Sequence, residues 1–452
     1  MEGRLLLKNC ALIRADGRVR RQMAVVVEEG RIRQVAPDAR VPVRPGDWEV
    51  ACRGRLLSPG RVDCHSHLVS GQLVPATGEH LLRPPSAQAA LQARLEGLLR
   101  AEDVEALSAY GLACALRAGV TLTVEHLACP ADVAGGLAAQ ARAAERLGMR
   151  LVTGPATQDA AGAGTPEADM EAAQMAPPIE AQVEANAAFA RAQASHPRVR
   201  GALGFQSSSS CGDALLRRLG RLRAELGAPV VFHLGEDEAD LTTTFARHGR
   251  RIVARLEGFG LLGTGSVGAH ARALDGAESE RLSADRTFLA LAPAASSVQE
   301  LATAGLETLL ARPHLLGLGS AGYGSLAEAL QAAFAALLRQ ARGGRLLDPD
   351  GALAQLAVEG PAELCSMLFG APSGAVEEGA LADLVVHDLL PTEDPATGLM
   401  PAPLLALARS PVAWSIVDGR VTVREGQLLG ADFLALAQAA SRTLESLWAR
   451  AS

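Results

Sequence analysis

Lysine and aromatic residues are scarce in this sequence. Lys8 is the only lysine, although Lys and Arg together number 43, and aromatic residues make up 3% of the chain. A metal pair bridged by a carboxylated lysine inside the fold is therefore excluded. A surface for nucleic acid typically combines a basic stripe with aromatic side chains, and no stretch of this sequence has that pattern. We therefore expect no nucleic-acid partner.

Long apolar runs and paired cysteines are also missing. No uninterrupted apolar stretch is long enough to span a bilayer, and the apolar run at 5–7 is too short for a signal peptide. The seven cysteines are an odd number without any Cys-x-x-Cys spacing, which favours reduced thiols over disulfides. These patterns predict a cytoplasmic protein without a membrane partner.

The composition predicts a globular protein with a substantial core. The chain has 452 residues, of which 48% are hydrophobic and 21% charged, with a net charge of −7. Its first 58 residues alternate apolar and polar positions, which predicts short strands at Leu5–Ile13, Met23–Glu28 and Arg31–Val35. From about Arg61, short apolar runs alternate with Ala/Leu/Arg-rich segments at helical spacing, which is typical of repeated βα units.

Eight strands are predicted in this second region: Arg61–His67, Leu122–His126, Arg150–Gly154, Val199–Phe205, Pro229–Leu234, Ser266–His270, Thr287–Ala292 and Leu315–Ser320. Helices are predicted between them, including Glu102–Ala118, Ile179–Ala194, Ala214–Leu226 and Val298–Leu310. Eight such units suit a (β/α)8 TIM barrel, which typically takes ~250 residues.

The predicted fold class is thus α/β, with the barrel at residues 59–369. Residues 1–58 and 370–430 are predicted to form a small composite β-sandwich from both ends of the chain, and residues 431–452 a C-terminal helix. The low-complexity stretch Ala160–Ala176 is predicted to be a loop over the barrel mouth.

Four histidines occur at the ends of predicted barrel strands. His65 and His67 are two residues apart on a strand, so their side chains point to the same face. His233 and His270 end two later strands, and Glu236 follows His233 by three residues. Barrel enzymes place their chemistry at this end of the strands, and converging imidazoles suit zinc or iron. Glu236 is placed to move a proton.

These motifs resemble the amidohydrolase superfamily. The stretch Pro59–His67 is similar to its first-strand motif, and together with His233, Glu236, His270 and the strand Ala382–Val386 it resembles the cytosine deaminase and chlorohydrolase branch. The surroundings of Glu125 and of Leu261–Gly263 are similar to the SsnA-type aminohydrolases within that branch.

The resemblance implies a role for each matching residue. His65, His67 and His233 would bind one divalent metal ion, zinc or iron. Glu236 would shuttle a proton, and His270 would orient the attacking water or the substrate. The resemblance also implies a small-molecule substrate and a homodimer.

The sequence departs from the family pattern at several positions. Ala321 stands where the family has an aspartate after the eighth strand, and Gln206 where it has a histidine after the fourth. Ala271 replaces the usual cysteine, and Ala292–Ser296 replaces an asparagine-containing motif. Several departures around one barrel mouth favour natural divergence of the site over a single engineered change.

Other polar residues have open interpretations. His126 ends the second barrel strand and either contacts substrate, as Gln206 would, or is a hydrogen-bonded structural histidine. His80 is a weaker candidate for substrate contact. We interpret the remaining histidines as structural or solvated: His196, His248, His314 and His387.

The sequence therefore predicts a metal-dependent hydrolase of non-peptide C–N bonds, acting on a small cyclic amidine or an aminated heterocycle. The alternative is a catalytically inactive amidohydrolase homologue that binds a ligand or serves as a scaffolding subunit, in which the histidines are relics of an active ancestor.

Overall fold

The computed structural model describes residues 3–13, 18–74, 85–159, 177–298, 309–310, 315–322, 325–344, 348–390 and 403–451. Helices and strands alternate through most of these ranges, so the predicted α/β class is confirmed. No helix within them is long and apolar enough to cross a membrane. Some predictions lie outside the described residues: the loop Ala160–Ala176, His80, His314 and most of the helix Val298–Leu310.

The strands, in chain order, are β1 (Leu5–Ile13), β2 (Val19–Glu28), β3 (Arg31–Pro37), β4 (Trp48–Ala51), β5 (Leu56–Pro59), β6 (Arg61–Ser66), β7 (Val120–Leu127), β8 (Arg150–Pro155), β9 (Val199–Gly201), β10 (Leu203–Gly204), β11 (Val230–Leu234), β12 (Ser266–His270), β13 (Phe288–Leu291), β14 (Leu315–Leu318), β15 (Leu384–His387), β16 (Val412–Val417), β17 (Arg420–Arg424) and β18 (Gln427–Leu428).

The α-helices are Ser70–Leu73, Pro85–Gly97, Ala101–Arg117, Val133–Leu147, Ile179–Ala192, Asp213–Leu226, Glu238–His248, Ile252–Gly258, Gly276–Ala284, Pro293–Val298, Leu326–Arg342, Pro349–Ala354, Gly360–Phe369, Pro403–Arg409 and Phe433–Ala451. A π-helical turn, Gln355–Glu359, precedes the helix Gly360–Phe369.

Strands from both ends of the chain form one sheet of nine strands. Its order is β18-β17-β16-β15-β5-β1-β2-β3, with β4 beside β1. Strand β5 runs parallel to β1 and antiparallel to β15. The pairing of β5 with β15 therefore joins the N-terminal strands to the C-terminal ones. The predicted association of both ends is therefore observed as one continuous sheet. The two-layer sandwich and the domain limits stay predictions.

The remaining strands form two parallel sheets, β6-β7-β8-β9 and β10-β11-β12-β13-β14. The predicted strand Val199–Phe205 is split because its pairing changes at Ala202: β9 pairs with β8, and β10 with β11. At the other edge, β14 and β6 share no ladder; the Ser320 N–H donates to the Asp63 carboxylate at 2.9 Å. The predicted eight-stranded barrel is thus observed as two sheets, and no hydrogen-bonded ladder closes them into a barrel among the described strands.

A buried arginine joins the parallel strands to the nine-stranded sheet. Arg150, at the start of β8, is 1% exposed, and its Nε donates to Asp383 at 2.7 Å while Nη2 donates to Asp418 at 3.0 Å. Two carboxylates compensate the guanidinium, so a charge that would be costly alone is tolerated in the interior. The helix Phe433–Ala451 begins two residues after the predicted start and packs against the helix Ala101–Arg117.

Candidate metal and catalytic site

The His-x-His pair lies where strand β6 ends. His65 is a strand residue and His67 follows the last one, Ser66. Glu125 on the neighbouring strand accepts a hydrogen bond from the Leu68 N–H at 2.8 Å, which fixes the chain immediately after His67. Burial raises the pKa of Glu125 to about 8. In the sequence Glu125 stood out only as part of a resemblance, and this positioning role was missed.

Two interlocked turns place Glu236 beside His270. Gly235 takes a positive φ of 53° directly after β11, and its N–H donates to the Asp240 carboxylate at 3.0 Å. His270 ends β12 with a φ of 74°, and the Ala271 N–H donates to the Leu234 carbonyl at 2.9 Å. Left-handed backbone at a non-glycine residue is uncommon, although histidine adopts it more often than most, and such strain clusters at functional sites.

Four of the predicted site residues surround His233 within a few ångströms: His65, His67, Glu236 and His270. His65, His67 and His233 each bring one nitrogen to within 4.8 Å of the others, and His233, Glu236 and His270 form a second such group. The Nε2 atoms of His67 and His233 are 3.2 Å apart. Glu236 lies 3.7 Å from Nδ1 of His233 and 3.8 Å from Nε2 of His270. One carboxylate therefore faces two imidazoles.

Burial keeps the histidines neutral. Desolvation lowers the pKa of His67 to about 3 and that of His270 to about 4, and it also lowers the pKa values of His65 and His233. A neutral imidazole offers the lone pair that a metal ion needs. The Nε2 atom of His65 is buried and has no hydrogen-bond partner among the described residues, so an ion would satisfy it.

Glu236 is held ionised. Burial raises its pKa, but electrostatic attraction to His270, His233 and Arg272 outweighs burial and lowers the pKa to about 2. An ionised carboxylate at this place can accept a proton and release it again.

The two residues predicted to bind substrate both touch His233. The Nδ1 atom of His126 lies 3.3 Å from Nε2 of His233, and the side-chain amide nitrogen of Gln206 lies 3.3 Å from its Nδ1. Burial lowers the pKa of His126 well below its ordinary value, and its Nε2 is unpartnered among the described residues. His126 therefore packs against His233 and keeps its second nitrogen for a substrate contact, whereas Gln206 is placed to orient His233.

Arg272 was missed in the sequence. Its Nη2 donates to the Glu236 carbonyl, and its Nε and Nη1 are buried without a hydrogen-bond partner among the described residues. Arginines are abundant in this chain, so no signal in the sequence distinguishes this one except its position two residues after His270.

Ala321 lies beside the histidines, as its position after the eighth predicted barrel strand implies. It is 3% exposed, has a φ of 50°, and packs in a small cluster with Ala292 and Ala295. The three alanines thus meet at one place beside the histidines, and their departure from the family pattern stays a prediction.

Comparisons with known proteins find relatives over most of the chain. The profile of the amidohydrolase family matches residues 56–422. A 5-methylthioadenosine/S-adenosylhomocysteine deaminase of Haloarcula marismortui is 28% identical over 418 residues, covering 90% of each chain. A 5'-deoxyadenosine deaminase of Methanopyrus kandleri is 26% identical over 352 residues, covering 75% of this chain and 74% of its own.

A solved structure has the same fold. An adenosine deaminase from Xanthomonas campestris, with bound zinc, superposes with a TM-score of 0.80 at 21% identity, covering 98% of each chain. Since the family profile spans most of the sequence, the chain belongs to the amidohydrolase family and is a hydrolase that acts on C–N bonds.

Proposed function

We propose that this protein hydrolytically deaminates an adenine-type heterocycle. The observation that carries the proposal is the single cluster of His65, His67 and His233 with Glu236 between two imidazoles. Relatives that match about 90% of the chain are named as deaminases of adenine nucleosides, which supports this substrate class.

The donor set fits one divalent metal ion, zinc or iron. His65, His67 and His233 would hold it, because their nitrogens converge and burial keeps them unprotonated. An ion held there would lower the pKa of a water molecule toward ~7 and make it a nucleophile at neutral pH.

The chain's own residues handle the protons and the substrate. Glu236 accepts a proton from the attacking water and passes it to the leaving amino nitrogen. The water oxygen bonds to the ring carbon, the C–N bond to the amino group breaks, and ammonia leaves. The second water proton ends on the adjacent ring nitrogen, so a carbonyl remains. His270, whose Nδ1 is buried and unpartnered among the described residues, donates to a ring nitrogen. His126 and the unpartnered donors of Arg272 contact the rest of the substrate, and Gln206 keeps His233 oriented.

A panel of adenine compounds tests this proposal. Zinc-loaded and iron-loaded protein is incubated with adenosine, 5'-deoxyadenosine, 5'-methylthioadenosine and S-adenosylhomocysteine, and ammonia release is measured. Cytosine serves as the comparison substrate. We expect ammonia from at least one adenine compound and its loss in Glu236→Gln. No release from any member of the panel by protein that has taken up metal would refute the proposed substrate class.

The alanine at position 321 bears on how fast the proposed reaction runs. The resemblance implies an aspartate there that acts as ligand and general base. The inactive homologue that the sequence left open as the alternative has no support among the relatives, which are named as deaminases. The same panel, measured by binding as well as by ammonia release, shows how much turnover remains with alanine at this position.

The narrower sequence predictions accompany this proposal. They are the placement within the cytosine deaminase and chlorohydrolase branch near the SsnA-type aminohydrolases, a homodimer, the absence of nucleic-acid and membrane partners, and a cytoplasmic location.

A further inference from the structure

A cavity lies at the opposite end of strands β11 and β12 from the histidines of the hydrolytic site. It has a volume of about 1160 Å³, and Pro229 and Gly265, which immediately precede β11 and β12, are among its lining residues. His233 and His270 lie near the other ends of those strands. At ~3.3 Å per residue, a five-residue strand separates the two places by more than about 10 Å. The cavity is therefore distinct from the hydrolytic site.

Six arginines line this cavity: Arg200, Arg217, Arg221, Arg223, Arg250 and Arg255. Asp213 is the one carboxylate among the described lining residues, and it is already engaged. Its Oδ1 accepts from Nη2 of the buried Arg255 at 2.6 Å and lies 3.3 Å from Nδ1 of His248. The other five arginines thus bring an excess of positive charge into one cavity of a chain whose net charge is −7.

Backbone carbonyls fix two of these guanidinium groups without neutralising them. Arg223 donates to the carbonyls of Gly260 at 2.7 Å, Leu262 at 2.6 Å and Thr264 at 3.0 Å. Burial lowers its pKa, as expected for a cation taken out of water without a compensating carboxylate.

Arg200 is held in the same way by carbonyls of the segment that leads into β9. Its Nη1 donates to the His196 carbonyl and, at 3.4 Å, to that of Gln193. Burial, and the charge of Arg150, lower its pKa. Both arginines are therefore preorganised cations, and rigid guanidinium forks are the side chains that best match phosphate oxygens.

The exposed arginines complete the cavity. Arg217 lies with its guanidinium carbon 5.6 Å from the ring centre of Phe259, and Arg221 and Arg250 are exposed at the rim. Like charges gathered in a cavity repel one another, so a multivalent anion bound among them would be stabilised by each.

We propose that this cavity binds a small anion with two or more linked phosphate groups, either inorganic pyrophosphate or the polyphosphate chain of a nucleotide. Anion binding there is independent of the proposed deamination, since it involves none of the histidines of the hydrolytic site.

Titration calorimetry with inorganic pyrophosphate tests the proposal. The double variant Arg221→Ala/Arg250→Ala removes two rim cations, and Arg218→Ala serves as the matched control because Arg218 lies on the same helix as Arg221, pairs with Glu184 and does not line the cavity. We expect the double variant to bind pyrophosphate at least about tenfold more weakly, and the control to bind within about twofold of the wild type. Arg221 and Arg250 are exposed, so we expect the variants to fold, and unchanged melting temperatures would verify it.

Pyrophosphate also binds metal ions, so the hydrolytic site needs its own control. His233→Ala should leave pyrophosphate affinity unchanged, and loss of binding in that variant would place the anion at the histidines and overturn the proposal. Equal affinity in the double variant and the control would overturn it as well.

Guanosine triphosphate distinguishes the two sources of the anion. If guanosine triphosphate binds at least about tenfold more tightly than pyrophosphate, the anion is a nucleotide. If the two bind with similar affinity, the cavity contacts only the polyphosphate. If neither compound binds, the proposal is wrong.

Discussion

The N–H of Ala321 donates to the carbonyl oxygen of His65 at 3.0 Å. This hydrogen bond ties the segment after β14 to the strand that carries the His-x-His pair, next to the Ser320–Asp63 contact. Position 321 is therefore a neighbour of the proposed metal ligands. Its φ of 50° is the left-handed conformation that aspartate and asparagine tolerate better than alanine does. The backbone at position 321 therefore suits the aspartate that the resemblance implies there.

Ala321→Asp is expected to raise deaminase activity. A general acid–base group typically contributes ~10²–10⁴-fold, so we expect a gain of at least ~10²-fold in kcat. Ala321→Asn is the matched control, because it has the same left-handed preference without the charge. Steady-state ammonia release from both variants is the measurement. Equal activities in these two variants would show that no carboxylate is needed at this position.

Glu236→Gln is expected to lower kcat by ~10²–10⁴-fold while metal content is unchanged. The amide is nearly the same size as the carboxylate but cannot carry the proton. Glu238, exposed on the following helix, offers the control Glu238→Gln, for which we expect kcat within about twofold of the wild type. A similar loss in both variants, or in neither, would contradict the role given to Glu236.

A substitution of His126 distinguishes two roles for this residue, a contact to the substrate and a fourth metal ligand. Its Nδ1 is 3.3 Å from Nε2 of His233, almost as close as Nε2 of His67 at 3.2 Å. We expect His126→Ala to keep its metal ion and to raise KM by up to about tenfold, since one hydrogen bond to substrate contributes ~0.5–1.5 kcal/mol. Elemental analysis together with KM decides the matter. Loss of the ion would reassign His126 as a ligand.

The buried His387 is expected to lower the free energy of unfolding as the pH becomes acidic. Burial lowers its pKa from 6.5 to about 3, and its nitrogens each lie 2.8 Å from a hydroxyl, one from that of Ser58 and the other from that of Ser410. Between these two pKa values the unfolded chain binds a proton that the folded chain does not. Its contribution to stability is therefore fully present above pH ~6.5 and falls progressively as the pH drops toward ~3.

Urea unfolding across this pH range checks the prediction. His387→Gln should unfold at lower urea near pH 7, because hydrogen bonds are lost, but should show a shallower decline toward acid. Ser410→Ala is the control: it removes one partner, lowers stability by ~1 kcal/mol, and keeps the full pH dependence. If the stability of His387→Gln falls toward acid as steeply as that of the wild type, other groups control the pH dependence.

Short-range patterns predicted most of the site. The i, i+2 spacing of His65 and His67 and the position of His233 at a strand end are local properties, and the structure brings all three together. The backbone hydrogen bonds between the turns after β11 and β12 are not local, so the 3.8 Å approach of Glu236 to His270 could not be predicted from either motif.

Features that depend on distant residues could not be predicted. The strand Val199–Phe205 reads as one apolar run, but it changes partners at Ala202, and only the neighbouring strands determine where. The arginines that line the cavity come from strand β9, two helices and a loop between residues 200 and 255, and none stands out in an arginine-rich sequence. Arg272 was missed for the same reason.

The most direct test of the account is elemental analysis of chelator-washed protein for zinc, iron and manganese, with His233→Ala analysed beside the wild type. We predict about one tightly bound zinc or iron ion per wild-type chain and far less than that in the variant, with both proteins folded. A folded wild-type protein that binds none of these metals, even when they are supplied, would contradict hydrolysis at this histidine cluster.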